Sequence, residues 1–328
     1  MNPSSLAARH RDALLLAAVL LALAALASVA APGLQRTLTE GLIRVVTVLG
    51  LFVFVGQSGV ISFGHIAFMG VGAYAAAWLT MDPAIKPFVL GGLPEWLQAL
   101  SLPWWQATLA GGALAAVAAA VTGIAILRLT GIAASIATFS LLAIFNVVYS
   151  SWDSVTAGTS SIVGVPTTVG IPQALGVALL ALLLAEIHRH SRWGLALQAV
   201  REEPVAAQSC GIRALRMKLI AFVLSALVCG AAGALNAQYL GVVSPDEYYL
   251  PRTFITLAML VIGGMSSLRG AVGGTVLISL LMELLTRLEA GVTLGSTTLA
   301  LPHGAQEIAI GLLMIVMLIV RPHGLWTR

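Results

Sequence analysis

The residues best suited to chemistry lie in a polar run, GQSGVISFGH (residues 56–65), that interrupts an apolar part of the sequence; we call it the polar break. Its hydrogen-bonding side chains are those of Gln57, Ser58, Ser62 and His65. Its glycines, Gly56, Gly59 and Gly64, permit backbone angles that other residues avoid. His65 is predicted to open the next helix, where exposed N–H groups attract carboxylates. The run therefore predicts part of a route for a small zwitterion; the alternative is that its side chains only satisfy one another and the broken backbone.

The sequence lacks the motifs of common enzymes. It has no G-x-x-x-x-G-K-[ST] phosphate-binding loop, so the chain does not bind and hydrolyse ATP by that route. It also lacks H-E-x-x-H, G-x-S-x-G and paired-cysteine metal patterns, and its two cysteines, Cys210 and Cys229, give no disulfide framework. We therefore expect a non-catalytic chain with no cofactor and no metal.

Ionisable residues inside the apolar runs are few. Arg44 follows Glu40 by one helical turn, and Arg287 follows Glu283 at the same spacing. We interpret both pairs as anchors at the membrane surface, because proton and sodium relays need ionisable groups deep in the bilayer. An ion-coupled secondary transporter is nevertheless kept as the alternative from a different class.

A second polar stretch, WGLALQAVREEPVAAQSCGIRALRMK at residues 193–218, is rich in Arg and Lys. Pro204 suits the first position of a helix, and Gly211 suits the position just beyond its end. Glu202 and Glu203 precede that helix, where negative charge is favourable. The pattern predicts two short helices, at 194–201 and 204–210, which we call the helix pair.

The helix pair is flanked by Arg201, Arg213 and Arg216. It belongs to the one sizeable water-facing segment of an otherwise apolar chain, so we interpret it as a docking surface for a soluble partner. The alternative is an ordinary interfacial loop held by anionic lipid.

The composition places these segments in a membrane. Of 328 residues, 59% are hydrophobic and 9% are charged, whereas soluble domains carry about 25% charged residues. The mean hydropathy is +0.98 and the pI is about 9.4. An excess of Lys and Arg orients membrane proteins, which explains the basic pI without a nucleic-acid partner. A bilayer accepts such a chain when its backbone is satisfied inside helices, so we expect an all-α, polytopic integral membrane protein with membrane lipid as a partner.

A membrane span needs about 20 mainly apolar residues, and this rule predicts about ten transmembrane or re-entrant helices. They fall near residues 13–31, 40–55, 65–81, 104–127, 131–150, 171–187, 218–241, 253–264, 270–288 and 305–320. The runs 40–55 and 253–264 are short, so each is expected either to span or to re-enter. The first run follows basic residues as in a signal peptide, but it exceeds the usual apolar length of about 7–15 residues, and we expect a retained span.

The distribution of basic residues predicts the orientation of the spans. With ten spans, both termini and the loop 188–217 lie on one side with most of the Lys and Arg, including Arg9 and Arg328. The opposite side holds Arg36, Arg44, Lys86, Arg252 and Arg287. The positive-inside rule then predicts that both termini are cytoplasmic.

Two segments, 56–74 and 263–279, are alike in kind, because each breaks an apolar run with Gly and Ser and then starts a helix rich in small residues. They indicate either an internal inverted repeat around a transport route or two tight turns between packed helices. Small residues four apart predict close approach of helix backbones at Gly270 and Gly274, and at Ala226, Gly230 and Ala234.

Several long motifs occur in one order from about Gly50 to the end: GQSGVISFGHIAFMGVGAY, WGLALQAVREEPVAAQSCGI, KLIAFVLSALVCGAAGALNAQYLGVVSPDEY and VIGGMSSLRGAVGG. In these motifs the chain resembles the inner-membrane permease subunits of branched-chain amino acid ABC transporters. The resemblance implies a helical permease that pairs with a second, homologous permease subunit. It also implies two cytoplasmic ATPase subunits and a periplasmic substrate-binding protein.

In that family the stretch that matches Arg201 to Gly211 is the cytoplasmic loop that seats on the ATPase. The resemblance therefore implies ATPase coupling by Arg201, Glu202 and Glu203, with packing positions at Ala206, Ala207 and Gly211. It implies one transmembrane permease domain over 1–328, with a coupling loop at 188–217. The sequence departs from the family in the outer loop 155–163, VTAGTSSIV, where members often carry a Gly-Gly-Ser run and the binding protein would deliver substrate.

Taken together, the residues and the resemblance predict a permease subunit of an ATP-driven importer for branched-chain or other small apolar amino acids. A permease of the same kind for urea, amides or aromatic acids is the alternative within the family.

Overall fold

The computed structural model describes residues 11–29, 32–289, 292–294, 297–299, 302, 304–321 and 324–326. Most of these residues lie in α-helices. The longer helices are α1 (Arg11–Val29), α2 (Pro32–Leu51), α3 (His65–Thr80), α6 (Trp104–Ile126), α7 (Ile132–Ser151), α9 (Ile171–His190), α10 (Arg192–Glu202), α12 (Ala214–Leu240), α13 (Leu250–Gly263), α14 (Leu268–Glu289) and α15 (Ala305–Val320). The short helices are α4 (Lys86–Val89), α5 (Glu95–Gln98), α8 (Asp153–Thr156) and α11 (Pro204–Ser209).

Within the described ranges, six helical segments are long and apolar enough to cross a membrane. They are Gly33–Gly56, Trp104–Ile126, Ile132–Ser151, Ile171–His190, Ala214–Leu240 and Leu268–Glu289. The prediction of a helical membrane protein is therefore confirmed. The count of about ten spans and the internal repeat are not confirmed and stay predictions. The predicted end of the first span at Ala31, and Arg9 and Arg328 of the orientation argument, lie outside the described residues.

The second span is longer than the sequence predicted. Instead of beginning near residue 40, α2 begins at Pro32 and continues into one π-helical turn, Phe52–Gly56. The residues before position 40, GLQRTLT at 33–39, are too polar for a prediction based on apolar runs, although they are helical. Arg44 and Glu40 form an ion pair along the helix. The π-turn lies directly before the polar break, and such turns frequently occur at functional sites.

Helix α13 covers the predicted weak span at 253–264. It has 14 residues, which correspond to a length of about 21 Å at 1.5 Å per residue. A bilayer hydrocarbon core is about 30 Å thick, so this length favours a re-entrant helix over a full span.

Helix α12 is the central helix of the bundle and packs against α2, α3 and α6. Small residues make this possible: a Cβ atom on Gly233 would collide with the backbone oxygen of Met69 in α3. A Cβ atom on Gly230 would lie 2.5 Å from the Cβ of Ala115 in α6. The close packing predicted for this stretch of small residues is confirmed.

Helices α13 and α14 also meet through glycines. A Cβ atom on Gly274 would lie 2.6 Å from the Cα of Gly263, and one on Gly270 would lie 2.6 Å from the oxygen of Gly263. Side chains at these positions would therefore push the two helices apart. The predicted backbone approach at Gly270 and Gly274 is confirmed.

The two ends of α12 lead to different features. Its N-terminus follows α10 and α11, and we call this end of the bundle the helix-pair end. Its C-terminus leads into β2 (Val242–Val243), which pairs antiparallel with β1 (Ile162–Val163); we call this the strand end. A second antiparallel ladder joins β3 (Val292–Leu294) to β4 (Thr297–Leu299). These short ladders depart from the all-α prediction without adding a sheet layer.

Candidate functional site

The helix pair has the local structure that its sequence predicts. Helix α10 is capped by Ser191, whose Oγ accepts a hydrogen bond of 3.1 Å from the Gly194 N–H. Helix α11 begins with Pro204 and is capped by Glu203, whose Oε1 accepts from the Val205 N–H at 3.4 Å. Gly211 follows with φ of 81°, in the left-handed region that favours glycine. Both predicted short helices are confirmed, with ends that differ by one or two residues.

The helix pair turns one face towards the bundle and leaves the other uncovered. Leu197 and Ala207 are buried. The Glu202 side chain is 79% exposed and Val205 is 71% exposed. Ala206 is exposed as well, so within this chain Ala207 packs and Ala206 does not. The uncovered face thus combines carboxylates with an apolar side chain, which suits contact with another protein.

The polar side chains of the break are buried, whereas Gly59 and Ile61 of the same run are exposed. Gln57, Ser58, Ser62 and His65 are between 0% and 6% exposed. The Ser62 Oγ lies 2.8 Å from His65 Nδ1, and the Ser58 Oγ accepts a hydrogen bond of 3.2 Å from the Val60 N–H. These contacts satisfy part of the break from within, as the alternative interpretation expects.

His65 sits among aromatic rings rather than in an open route. The centroid of its ring lies 5.4 Å from that of Phe54, 5.2 Å from that of Phe222 and 6.1 Å from that of Phe68. Helix α3 does begin at His65, as predicted. The surrounding rings indicate that His65 and its Ser62 partner stabilise the packing of α3 against α12.

Gln57 differs from the other polar residues of the break. Neither atom of its side-chain amide has a hydrogen-bond partner among the described residues, although both atoms are buried. An unpaired buried amide costs about 1–3 kcal/mol, so natural proteins rarely retain one without a reason. Within the break, His65 Nε2 is the other buried side-chain atom without a hydrogen-bond partner among the described residues.

The three glycines of the break serve two purposes. Gly59 has φ of 70°, so it adopts the left-handed conformation that the sequence predicts. Gly56 and Gly64 have no positive φ. Instead, a Cβ on Gly56 would lie 2.5 Å from the Met265 oxygen, and one on Gly64 would lie 2.8 Å from the Thr138 oxygen. Close backbone approach, rather than unusual angles, therefore requires glycine at these two positions.

The helix pair and the polar break are in direct contact. Arg201 at the end of α10 donates from Nη1 to the backbone oxygen of Gly56 at 2.9 Å. A Cβ on Gly59 would lie 3.1 Å from Arg201 Cγ, so the arginine side chain runs over the break. A Cβ on Gly194 of α10 would lie 2.9 Å from Gln57 Oε1. Residues assigned to the pathway and residues assigned to coupling are thus brought together.

A cavity of about 250 Å³ opens at this contact, and we call it the helix-pair cavity. It is lined by Phe52, Gly56, Gln57, Arg189, Gln198, Arg201, Glu202 and Ser266. Ser266 belongs to the second Gly/Ser-rich segment, 263–279, which therefore meets the first segment at this cavity. Two guanidinium groups, two side-chain amides and the Glu202 carboxylate make the walls of this cavity polar.

A second cavity, of about 370 Å³, lies at the strand end, and we call it the strand-end cavity. Its charged lining residues are Arg44, Asp246, Glu247 and Arg252, and its methionines are Met69, Met259 and Met282. This site was not predicted from the sequence, because Arg44 was interpreted only as a surface anchor. The charged run SPDEYYLPR at 244–252 was the available signal.

The two predicted ion pairs are present. Arg44 pairs with Glu40, and Arg287 Nε lies 2.7 Å from Glu283 Oε1. Thr37 of α2 donates from Oγ1 to Glu283 Oε2 at 2.8 Å, so the second pair also joins α14 to α2. Arg44 additionally lines the strand-end cavity.

Neither cysteine forms a disulfide bond: Cys210 is exposed and Cys229 is buried, and both are free thiols. The part of the chain that the structure describes contains no group of three or more His, Cys, Asp or Glu residues arranged to hold a metal ion.

Comparison with known proteins identifies the family. Residues 33–320 match the family model described as branched-chain amino acid transport system / permease component. The chain is 27% identical over 321 residues to the high-affinity branched-chain amino acid transport system permease protein LivM of Escherichia coli (strain K12), covering 88% of this chain and 68% of LivM. It is 30% identical over 154 residues to the high-affinity branched-chain amino acid transport system permease protein LivH of Salmonella typhimurium (strain LT2), covering 46% of each chain. No solved structure matches it.

The family match spans most of the chain and includes the polar break, the helix pair and both cavities. It agrees with the membrane-crossing helices of the structure. The chain therefore belongs to the family of branched-chain amino acid ABC transporter permeases.

Proposed function

We propose that this chain is the membrane-spanning subunit of an ATP-driven importer that moves branched-chain or other small apolar amino acids into the cytoplasm. The observation that carries the proposal is the contact between Arg201 and Gly56, since it joins the exposed helix pair to the polar break. A force applied to the helix pair is transmitted through this contact to the membrane-embedded backbone.

Membership of the ABC permease family supports the choice of partners. Two cytoplasmic ATPase subunits supply the energy, which agrees with the lack of a phosphate-binding loop in this sequence. Coupling rests on Arg201, Glu202 and Glu203, with Ala206 against the ATPase, Ala207 against the bundle and Gly211 ending α11. The exposed Glu202 and Val205 support this docking surface.

A second, homologous permease subunit completes the membrane part, and a periplasmic substrate-binding protein delivers the amino acid. The similarity to both LivM and LivH supports pairing between two related permeases. The loop 155–163 then faces the binding protein, since β1 carries its end to the strand end of the bundle. In this arrangement both termini and the loop 188–217 are cytoplasmic, and 1–328 is one permease domain in the bacterial inner membrane.

The transport cycle uses two conformations of the bundle, one open at the strand end and one open at the helix-pair end. ATP binding by the partner moves α10 and α11 and shifts the population between the two forms. Gln57 is the polar group that meets the substrate near the helix-pair end, because its amide is unpaired and lines the helix-pair cavity. Ser58, Ser62 and His65 shape the same segment of the route by holding the broken backbone.

Reconstitution tests this proposal. The permease is purified with its second permease and ATPase subunits, placed in proteoliposomes that contain ATP, and supplied with the binding protein and radiolabelled leucine. The proposal predicts leucine accumulation that needs ATP, together with ATP hydrolysis that leucine and the binding protein stimulate. Accumulation driven by a proton or sodium gradient without ATP would contradict it, and accumulation of urea or benzoate instead of leucine would reassign the cargo.

A further inference from the structure

The strand-end cavity combines charges of both signs with an apolar surface. Arg44 of α2 and Arg252 of α13 supply two guanidinium groups, while Asp246 and Glu247 supply two carboxylates. The volume of about 370 Å³ falls within the range of about 300–1,000 Å³ that is usual for small-molecule sites.

The apolar part of the cavity is formed mainly by methionine. Met69, Met259 and Met282 are between 1% and 7% exposed, so they form a buried wall. Methionine side chains adapt to apolar groups of different shape because they are unbranched and polarisable. Such a wall accepts several aliphatic side chains without selecting a single one.

The charged groups keep hydrogen-bonding capacity for a ligand. Arg252 donates to Glu247 and, from Nη1, to Asn236 Oδ1 at 3.3 Å, while Arg44 donates to Glu40. A guanidinium has five N–H donors, so these bonds leave donors on both arginines. Asp246 is exposed, and its Oδ1 lies 3.5 Å from Asn146 Nδ2, which leaves acceptor positions on its carboxylate.

The cavity also connects to the surface where a delivered solute would arrive. Strand β1 at the end of the loop 155–163 pairs with β2, and β2 is followed directly by Ser244, which lines the cavity. In the other direction, α2 leads from Arg44 to the π-turn and Gln57. Arg44 and Gln57 are thirteen residues apart in the sequence, or about 20 Å along a helix. One helix therefore lies against both cavities.

We propose that the strand-end cavity is the site at which the permease first binds its substrate, as a zwitterionic amino acid with an apolar side chain. Arg44 and Arg252 bind the α-carboxylate, Asp246 and Glu247 bind the α-ammonium group, and the three methionines contact the side chain. The inference rests on the proposed function for its direction of transport, but the binding chemistry is independent of ATP.

Thiol protection tests the site in membranes that hold the full-length chain. Cys210→Ser removes the exposed thiol and Ser244→Cys places one in the cavity wall, while the buried Cys229 is kept. A membrane-impermeant methanethiosulfonate then labels the new thiol. Leucine is expected to slow this labelling, whereas 4-methylpentanoate and 3-methylbutylamine, which each lack one charge, are not. Ser151→Cys, an exposed position outside the cavity, should be labelled equally with and without leucine.

Substitution of the arginine provides the second arm. Arg44→Gln should raise the leucine concentration that gives half-protection by about tenfold or more, because a charge-assisted contact is lost. Arg36→Gln is the matched control, since Arg36 is an exposed arginine on the same helix that does not line the cavity. An unchanged labelling rate without leucine shows that the cavity of the variant is intact. If that rate changes, the test rests on the comparison of leucine with its two single-charge analogues, made on the protein that retains Arg44.

The inference is overturned if leucine gives no protection up to its solubility limit. It is also overturned if either single-charge analogue protects as well as leucine, or if Arg44→Gln leaves protection unchanged in an intact cavity. The labelling requires no nucleotide and no partner subunit. If ATP-driven uptake fails but leucine still protects the thiol, the proposed function is wrong and the binding site stands. If uptake succeeds but leucine gives no protection, the binding site is wrong and the proposed function stands.

Discussion

Arg201 of α10 donates a hydrogen bond of 2.9 Å from Nη1 to the backbone oxygen of Gly56, a residue 145 positions earlier in the chain. The bond joins the exposed helix pair to the polar break. Gly56 ends the π-helical turn, so its oxygen lies where the regular helix ends and the backbone turns away. In the proposed transport cycle, this contact transmits movement of the helix pair to the membrane-embedded backbone.

The first prediction concerns this hydrogen bond. Arg201→Gln shortens the side chain and removes the charge, so it breaks the contact with Gly56. A hydrogen bond to a charged group contributes about 1.5–3 kcal/mol, and its loss is expected to lower leucine uptake by about tenfold or more. ATP hydrolysis by the assembled complex should persist, because the ATPase sites are on other chains.

Arg192→Gln is the matched control for Arg201→Gln. Arg192 lies at the other end of α10, where its guanidinium carbon is 5.1 Å from the centroid of the Trp193 ring. Uptake by this variant should stay near that of the unaltered chain. Equal uptake by both variants, measured in the same proteoliposomes, would show that the Arg201 contact does not transmit force.

The second prediction addresses the turn between the two short helices. Glu203→Arg removes the carboxylate that caps α11 and places a positive charge at the positive end of that helix. It is expected to abolish uptake while the amount of permease in the membrane is unchanged. Glu203→Asp keeps a carboxylate at the cap and should retain uptake. Normal transport by Glu203→Arg would remove Glu203 from the coupling surface.

The third prediction separates a pathway role of Gln57 from a structural one. Because neither amide atom has a partner among the described residues, Gln57→Leu removes an unsatisfied polar group. The melting temperature of the purified permease should stay the same or rise, since an unpaired buried amide costs about 1–3 kcal/mol. Uptake should fall. A lower melting temperature with unchanged uptake would instead assign Gln57 to packing.

The fourth prediction concerns the crossing of α12 and α3. Gly233→Ala places a methyl group against the backbone oxygen of Met69, which cannot move aside as a flexible side chain would. Overpacking of this kind is expected to cost about 1–3 kcal/mol, seen as a lower melting temperature in detergent. Gly176→Ala in α9 is the control, because a Cβ there meets nothing within 4 Å. The control should be neutral or stabilising, and equal melting temperatures for both variants would contradict the packing described here.

The sequence predicted those parts of the protein that depend on local signals. The helix pair was predictable because Glu203, Pro204 and Gly211 are a cap, a first-turn residue and a helix end within nine positions. Close packing at Gly230 and Gly274 followed from small residues at helical spacing. The family resemblance was carried by long motifs and is confirmed by the match over 33–320.

Relationships between distant segments could not be predicted in this way. Nothing near Arg201 in the sequence indicates that its guanidinium reaches Gly56, because the contact depends on how α10 folds back on the bundle. The strand-end cavity was missed for the same reason, since Arg44 and Arg252 belong to helices that are far apart in the chain. The early start of α2 was missed because the segment before residue 40, GLQRTLT at 33–39, is too polar for a prediction based on apolar runs.

The central claim is that this chain takes its driving force from partner subunits through the helix pair. The most direct test is leucine uptake into liposomes that contain the purified subunit alone, compared with liposomes that contain the complete complex with ATP. The account predicts accumulation in the complete system and none with the lone subunit, whether or not an ion gradient is imposed. Accumulation of leucine against its gradient by the lone subunit, without nucleotide, would contradict the claim.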